Sequence, residues 1–149
     1  RITMEGVDKR EAAYVFSIKK KEKAPVLVNS SQPLNNLLAE KLAEGLRSQG
    51  LEVGNSGTTN LTLAISTAAV TVEEKTFTYV TKSKVSLQVI ADFQGNKLTK
   101  QFNMSSSKEE PGEPTMADLE STLNQQLGSV LQQIMADEAL RGYLKGQPS

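Results

Sequence analysis

The side chains that carry most enzyme chemistry are missing from this sequence. Its 149 residues include no histidine, no cysteine and no tryptophan. Without histidine and cysteine the chain offers no Ser-His-Asp or Cys-His nucleophile, no thiolate chemistry and none of the usual zinc or haem ligand sets. Acid–base chemistry would therefore depend on carboxylates, lysine or tyrosine.

Three groups of acidic residues are the candidates for such chemistry. They are Glu73-Glu74, Glu109-Glu110 with Glu113, and Asp137-Glu138. Neighbouring side chains point to opposite faces of a strand and splay apart in a loop, so adjacency in sequence does not make a catalytic pair. Solvated surface is the favoured interpretation of all three groups. We therefore assign no catalytic residue and predict that the chain is not an enzyme.

Two short motifs invite a functional interpretation, and neither has the context it needs. Ser-x-x-Lys occurs at Ser17–Lys20 and Ser105–Lys108. Penicillin-recognising enzymes place this pair on one helical face beside Ser-Asp-Asn and Lys-Thr-Gly elements, which the sequence lacks. A GxxG at Gly54–Gly57 would clamp nucleic acid between helices in a KH domain. Here it lies between two strand-like segments, which indicates a plain turn.

The charge distribution argues against nucleic acid as a partner. Lysine plus arginine and aspartate plus glutamate number 17 each, whereas nucleic-acid-binding proteins carry a basic face. No lysine or arginine occurs between Glu109 and Leu140, so this segment is unsuited to an anionic membrane. The run Lys19–Lys23 could touch lipid headgroups, but a solvated turn that protects a neighbouring strand is the favoured interpretation. We predict no cofactor and no metal.

Two segments have the three- and four-residue apolar spacing of amphipathic helices. The first extends from about Pro33 to Gln49, with Ser31 or Gln32 before it and Gly50 as its C-terminal cap. The second follows a capping signature at Thr115–Asp118, and Asp137 would cap a short last helix. The predicted apolar stripes are Leu34, Leu37, Leu38, Leu42, Gly45 and Leu46 in the first helix, and Met116, Leu119, Leu123, Leu127, Val130, Leu131 and Ile134 in the second.

Alternating apolar residues predict the strands. Short strands are expected around Ile2–Met4, Ala13–Ile18 and Pro25–Val28, and a longer one begins near Leu61. Its apolar positions change from odd to even numbers, which predicts a bulge near Ala68-Ala69. The pattern from Phe77 to Met104 predicts a hairpin with a Gly95-Asn96 turn, pairing residue i with residue 191−i. Ser105–Pro114 would be an acidic loop.

These elements predict an α+β fold. An antiparallel meander with one apolar face and two amphipathic helices bury their surfaces most simply when both helices pack on that face. The expected order is β-α-β-β-β-α, in one domain over residues 1–149 with a flexible tail at about 146–149. A chain of this length buries enough surface to form a core without disulfides.

The order and spacing of several segments resemble the YajG-type family of bacterial lipoproteins. The matching stretches are the opening strand into Gly6–Arg10, the helix of residues 34–50 entering Leu51–Gly54, the strand Asn60–Leu63, and Gly95–Lys100. The likeness extends from about Ile2 to Lys145. It implies a periplasmic domain tethered by a lipidated cysteine, placed on the outer membrane of a Gram-negative cell. Since the chain has no cysteine, that anchor is expected upstream of Arg1.

The resemblance brings no established activity and no site residues. We expect a non-enzymatic, membrane-tethered accessory module that binds another protein of the cell envelope, through an exposed strand edge or an apolar groove. The alternative is a carrier that holds a lipid or another apolar molecule between sheet and helices. An enzyme using carboxylate, lysine or tyrosine chemistry is the third hypothesis, and the oligomeric state stays open.

Overall fold

A computed structural model describes residues 1–30 and 32–146 of the chain. In this part the elements are the strands β1 (Ile2–Asp8), β2 (Tyr14–Lys19), β3 (Val26–Asn29), β4 (Val53–Gly54), β5 (Thr59–Glu74), β6 (Tyr79–Phe93) and β7 (Asn96–Glu110), and the helices α1 (Leu34–Ser48), α2 (Met116–Ala136) and α3 (Glu138–Gly146). The α+β class is confirmed. Ser31, one of the expected helix caps, and residues 147–149 of the expected tail lie outside the described residues.

The sheet is built around the 16-residue strand β5. On one side β5 pairs antiparallel with β6, and β6 pairs with β7. On its other side β5 pairs in parallel with β1 and then with β2; β4 extends the sheet beyond β1, and β3 beyond β2. The sheet is therefore mixed, which corrects the prediction of an antiparallel meander. Parallel pairing is possible because the chain crosses back through α1 before β5 begins.

A bulge in β5 lets one strand bury two differently phased sets of apolar residues. The pairing with β6 shifts between Ile65 and Thr67, which leaves Ser66 as the extra residue. Leu61, Leu63 and Ile65 are buried before it, and Ala68, Val70 and Val72 after it. The predicted bulge is confirmed, two residues before its expected place.

The β6–β7 hairpin has a different register from the predicted one. Its turn is Gln94-Gly95, and Phe93 pairs with Asn96 instead of Leu98. Both turn residues have positive φ, 52° and 86°, as a type I′ turn requires, and the Asp92 carboxylate accepts a hydrogen bond from the Gly95 N–H at 2.8 Å. A shift of two residues keeps every side chain on its own face, so the apolar pattern could not distinguish the two registers.

Two other expectations are corrected at the far end of this hairpin. β7 continues to Glu110, so residues 105–110 of the expected loop form a strand. Phe77, expected on the apolar face, lies in the β5–β6 turn with 87% of its surface exposed. β7 is longer than predicted because β6 pairs with it continuously as far as Tyr79.

The helices pack on one face of the sheet and form a single core with it. The buried residues of both helices lie on the predicted stripes, with Ala43 in addition, whereas Leu37, Gly45 and Met116 of those stripes are partly exposed. The Thr115 capping box is present, with Asp118 as its reciprocal partner. Gly50 adopts the left-handed conformation expected after α1, and Asp137 caps α3 through the Leu140 N–H.

Candidate functional site

The acidic side chains singled out from the sequence do not converge on one site. Glu74 accepts hydrogen bonds from the Lys21 backbone N–H and the Tyr79 hydroxyl, each at 2.9 Å. These bonds hold the pKa of the Glu74 carboxyl below its usual range. Glu113 pairs with Lys20 at 2.8 Å. These contacts join the β2–β3 turn to β5, β6 and the β7–α2 loop, which is a structural role.

The remaining acids lie apart from one another, and Asp137 is mostly buried. Glu73 pairs with Lys75 at 3.1 Å, Glu110 with Lys108 at 3.0 Å and Asp137 with Lys100 at 2.7 Å. Glu109 accepts a hydrogen bond from the Thr78 hydroxyl at 2.5 Å, and Glu138 is exposed in the first turn of α3. Within residues 1–30 and 32–146, no three acidic side chains are grouped as metal ligands would be.

The short motifs also have structural positions. Ser105 and Lys108 lie three residues apart on β7, so their side chains point to opposite faces, and Ser17 lies on β2 while Lys20 pairs with Glu113. The GxxG segment is a turn after β4. Its Gly57 is needed there because a Cβ would lie 2.5 Å from the Arg1 carbonyl oxygen.

The lysine run forms the β2–β3 turn, as predicted, except that Lys19 is the last residue of β2. The Lys19 ammonium donates to the backbone carbonyls of Lys20 and Lys23. Lys20 pairs with Glu113 and the backbone of the turn bonds to Glu74, so both contacts hold the turn against its neighbours. No helix in the described part of the chain has both the length and the apolar character needed to cross a bilayer.

Four large apolar side chains are exposed in the described part of the chain. Val26 and Leu27 on β3 are 59% and 55% exposed, Met116 at the start of α2 is 37% exposed, and Phe77 is the most exposed. Val26 pairs with Ile18, which pairs with Val72 near the end of β5. Phe77 follows that same end. Val26 and Phe77 therefore both lie near the Glu74 end of β5, whereas Leu27 points to the opposite face of β3 from Val26.

A cleft of about 260 Å³ opens beside β3 at this end. Its apolar lining includes Phe16, Val28, Leu37, Met116 and Leu123, and its polar lining includes Asn29, Glu120 and Asn124. A second hollow of about 340 Å³ between α1 and α2 shares Leu37, Asn124 and Leu127 with it. We call the first hollow, lined by β2, β3, α1 and α2, the β3 cleft.

The β3 cleft adjoins an open sheet edge. β3 pairs only with β2 among the described residues, so one side of its backbone is free to bond to another extended chain. Chemically the arrangement offers backbone donors and acceptors beside an apolar hollow, and Glu120 is the one carboxylate among the described residues that line it. The sequence indicated the strand and both apolar stripes, but the exposure of Leu37 and Met116 depends on how far apart α1 and α2 pack.

Comparison with known proteins gives one family match. A family model described as an uncharacterized lipoprotein matches residues 1–145. No curated protein sequence matches the chain.

Solved structures are also similar to this chain. A protein of Xanthomonas campestris is 9% identical with a TM-score of 0.71, over 99% of this chain and 87% of that one. Protein CT253 of Chlamydia trachomatis is 10% identical with a TM-score of 0.50, over 98% of each chain. A minor lipoprotein of Acinetobacter baumannii is 16% identical with a TM-score of 0.49, over 90% of this chain and 94% of that one. At these identities the likeness to the first two describes the fold alone.

Proposed function

Because this chain belongs to the family of uncharacterized lipoproteins whose model matches residues 1–145, we propose that it is a membrane-tethered accessory module that binds another protein of the cell envelope without catalysing a reaction. Lipoprotein membership implies association with the envelope. Within it, we place the domain on the periplasmic side of the outer membrane and in the YajG-type group, on the resemblance of its segments.

The observation that carries the proposal is the open β3 edge beside the β3 cleft. An extended peptide can add to such an edge through its backbone and insert alternate side chains into a neighbouring pocket. Val28 and Met116 line the cleft beside this edge, and Leu27, on the other face of β3, is 55% exposed. The partner segment is therefore an extended stretch with an apolar side chain that enters the cleft between Leu37 and Leu123.

The surroundings of the carboxylates support the non-enzymatic part of the proposal. Glu74, Glu113 and Asp137 already bond to lysine, tyrosine or backbone groups of their own chain. A general acid or base needs to reach a reacting group from a cleft. Glu120 is the acid that lines the β3 cleft, and a lone carboxylate lacks the second group that most acid–base mechanisms use.

Site-specific photo-crosslinking in cells tests the binding surface. A crosslinking residue at Leu27 should capture one envelope protein reproducibly, and the same residue at exposed Glu44 on α1 should not. The additional substitution Leu37→Glu should lower the yield at position 27 about tenfold by placing a charge in the cleft. Asn36→Glu, its exposed neighbour on α1, is the matched control. Equal yields with Leu37→Glu and Asn36→Glu would count against the proposal.

The hollow between α1 and α2 favours a second candidate, a carrier of a lipid or other apolar molecule. It continues from the β3 cleft along Leu127 to Leu131, and apolar ligands bind in hollows of this kind. Native mass spectrometry of the protein purified from cells separates the two candidates. A bound lipid that is lost in Leu37→Glu supports the carrier, and a bare polypeptide with a protein adduct at position 27 supports the accessory module.

A further inference from the structure

The second edge of the sheet carries an inference that is independent of the β3 cleft. β7 pairs with β6 over its whole length of 15 residues, without a bulge. In the described part of the chain no strand pairs with its other side. Natural edge strands are usually short, or are interrupted by proline, bulges or central charges. β7 has none of these over Gln101–Ser107, which is uncharged and contains no proline.

The hairpin turn fixes which backbone groups of β7 are unpaired. In a two-residue hairpin the residues flanking the turn, here Phe93 and Asn96, exchange both backbone hydrogen bonds, and the pattern then alternates. Even-numbered residues of β7 therefore bond to β6. The odd-numbered ones direct their N–H and C=O groups outward, and their side chains lie on the open face, where Thr99, Gln101, Asn103 and Ser105 are exposed.

The charges along β7 complement a second copy of the same strand. Lys97 lies near its start and Glu109 near its end. In an antiparallel pair with a two-fold axis at Asn103, residue i meets residue 206−i, and all 15 residues of each copy are used. Lys97 then lies opposite Glu109 twice, and no like charges are directly opposite.

The same axis also brings complementary backbone groups and apolar side chains of the two copies together. It pairs odd-numbered residues with odd-numbered ones, so outward N–H groups meet outward C=O groups. On the helix-covered face, Phe102 of each copy lies opposite Met104 of the other, and contacts between a methionine sulfur and an aromatic ring are favourable. We propose that two copies of this chain associate through β7, antiparallel about a two-fold axis at Asn103, into one continuous sheet.

Sedimentation of the purified chain over a range of concentrations tests the association. We expect a monomer–dimer equilibrium, and Asn103→Lys should raise the dimer dissociation constant at least about tenfold, because it places two like charges opposite each other at the axis. Asn60→Lys is the matched control, since Asn60 is exposed on β5, two strands away. A wild-type chain that stays monomeric at millimolar concentration, or a dimer that Asn103→Lys leaves intact, overturns the proposal. Circular dichroism verifies that both variants fold.

Disulfide formation tests the register, because the chain has no cysteine of its own. Asn103→Cys lies opposite itself, with Cα atoms about 5.5 Å apart, which a disulfide can bridge. Thr99→Cys lies about 27 Å from its own copy, so it should not oxidise to a dimer alone but should do so when mixed with Ser107→Cys. A lack of crosslinking by Asn103→Cys, or self-crosslinking by Thr99→Cys as fast as the mixture, contradicts the two-fold at Asn103.

Discussion

Asp137 lies at the end of α2 and connects that helix to β7 and α3. One carboxylate oxygen pairs with Lys100 of β7 at 2.7 Å, and the other caps α3 through the Leu140 N–H at 2.9 Å. Burial raises the pKa of the Asp137 carboxyl, but the hydrogen bonds from Lys100 and Leu140 outweigh it, so the pKa lies below its usual range. The ionised form therefore contributes stability that is present at neutral pH and is lost as the pH falls through the folded-state pKa.

Substitution of Asp137 separates the cap from the ion pair. Asp137→Ala should lower the free energy of unfolding by about 1–2 kcal/mol at pH 7, because it removes both interactions. Asp137→Asn keeps a cap oxygen and should lose roughly half as much. Urea unfolding at pH 7 and at about pH 3 checks this. The difference in the free energy of unfolding between wild type and Asp137→Asn should be smaller at the lower pH. A difference that does not depend on pH would mean that the carboxylate charge is irrelevant.

Two glycines should respond oppositely to the same substitution. A Cβ on Gly6 would lie 2.2 Å from the Asn35 carbonyl oxygen of α1, whereas a Cβ on Gly128 of α2 meets no atom within 4 Å. Gly6→Ala should lower the free energy of unfolding by about 1–3 kcal/mol because β1 and α1 must separate. Gly128→Ala should raise it by about 0.5–1 kcal/mol by favouring the helix. Equal effects in denaturant unfolding would contradict the close approach of α1 to β1.

At the level of elements, β5 decides the fold. Every other strand pairs with it directly or through one neighbour. Its bulge at Ser66 makes the apolar side chains of both halves of the strand point into the core. The alternation of apolar residues predicts this bulge because a strand has a period of two. It does not predict the direction of β1 and β2, because a half-buried parallel strand and an antiparallel one present the same alternation.

Deletion of Ser66 should prevent folding. Without the extra residue, Ala68, Val70 and Val72 would point away from the core, and exposure of the two valines alone costs about 3–5 kcal/mol. Deletion of Gly112 in the exposed β7–α2 loop, where a Cβ would meet nothing within 4 Å, is the control and should leave a cooperative unfolding transition. Thermal unfolding followed by circular dichroism measures both, and a cooperative transition in the Ser66 deletion would show that the bulge is dispensable.

At the level of the whole molecule, hydrogen bonds connect turns that lie far apart in the sequence. Lys21 connects the β2–β3 turn to the β5–β6 turn, through Glu74 and the Thr76 hydroxyl. Phe77 therefore follows a residue that bonds to the β2–β3 turn, although it belongs to another part of the sequence.

Phe77→Ser tests whether Phe77 belongs to the same binding surface as the β3 edge and the β3 cleft. Because the side chain is 87% exposed, its loss should change the free energy of unfolding by less than about 0.5 kcal/mol. It should nevertheless lower partner capture from position 27, since exposed aromatic side chains dominate many interfaces. Unchanged capture with an unchanged melting temperature would restrict the interface to β3 and its cleft.

The sequence by itself determined the features that depend on local periodicity and local hydrogen bonds. The extents of α1 and α2, the Thr115 capping box, the Gly50 cap and the inward residues of β5 and β6 all follow from such signals. Composition alone likewise excludes whole classes of site, because their chemistry needs the histidine or cysteine side chains that the chain lacks.

Only the tertiary structure decided which distant segments meet. A register shift of two residues in the β6–β7 hairpin leaves every side chain on its face, so only the turn at Gln94-Gly95 and its pairing could settle it. Leu37 and Met116 belong to apolar stripes that look like core, yet they line the β3 cleft because α1 and α2 do not close over β3. Exposure is a property of what packs against a side chain, and that neighbour lies far away in the sequence.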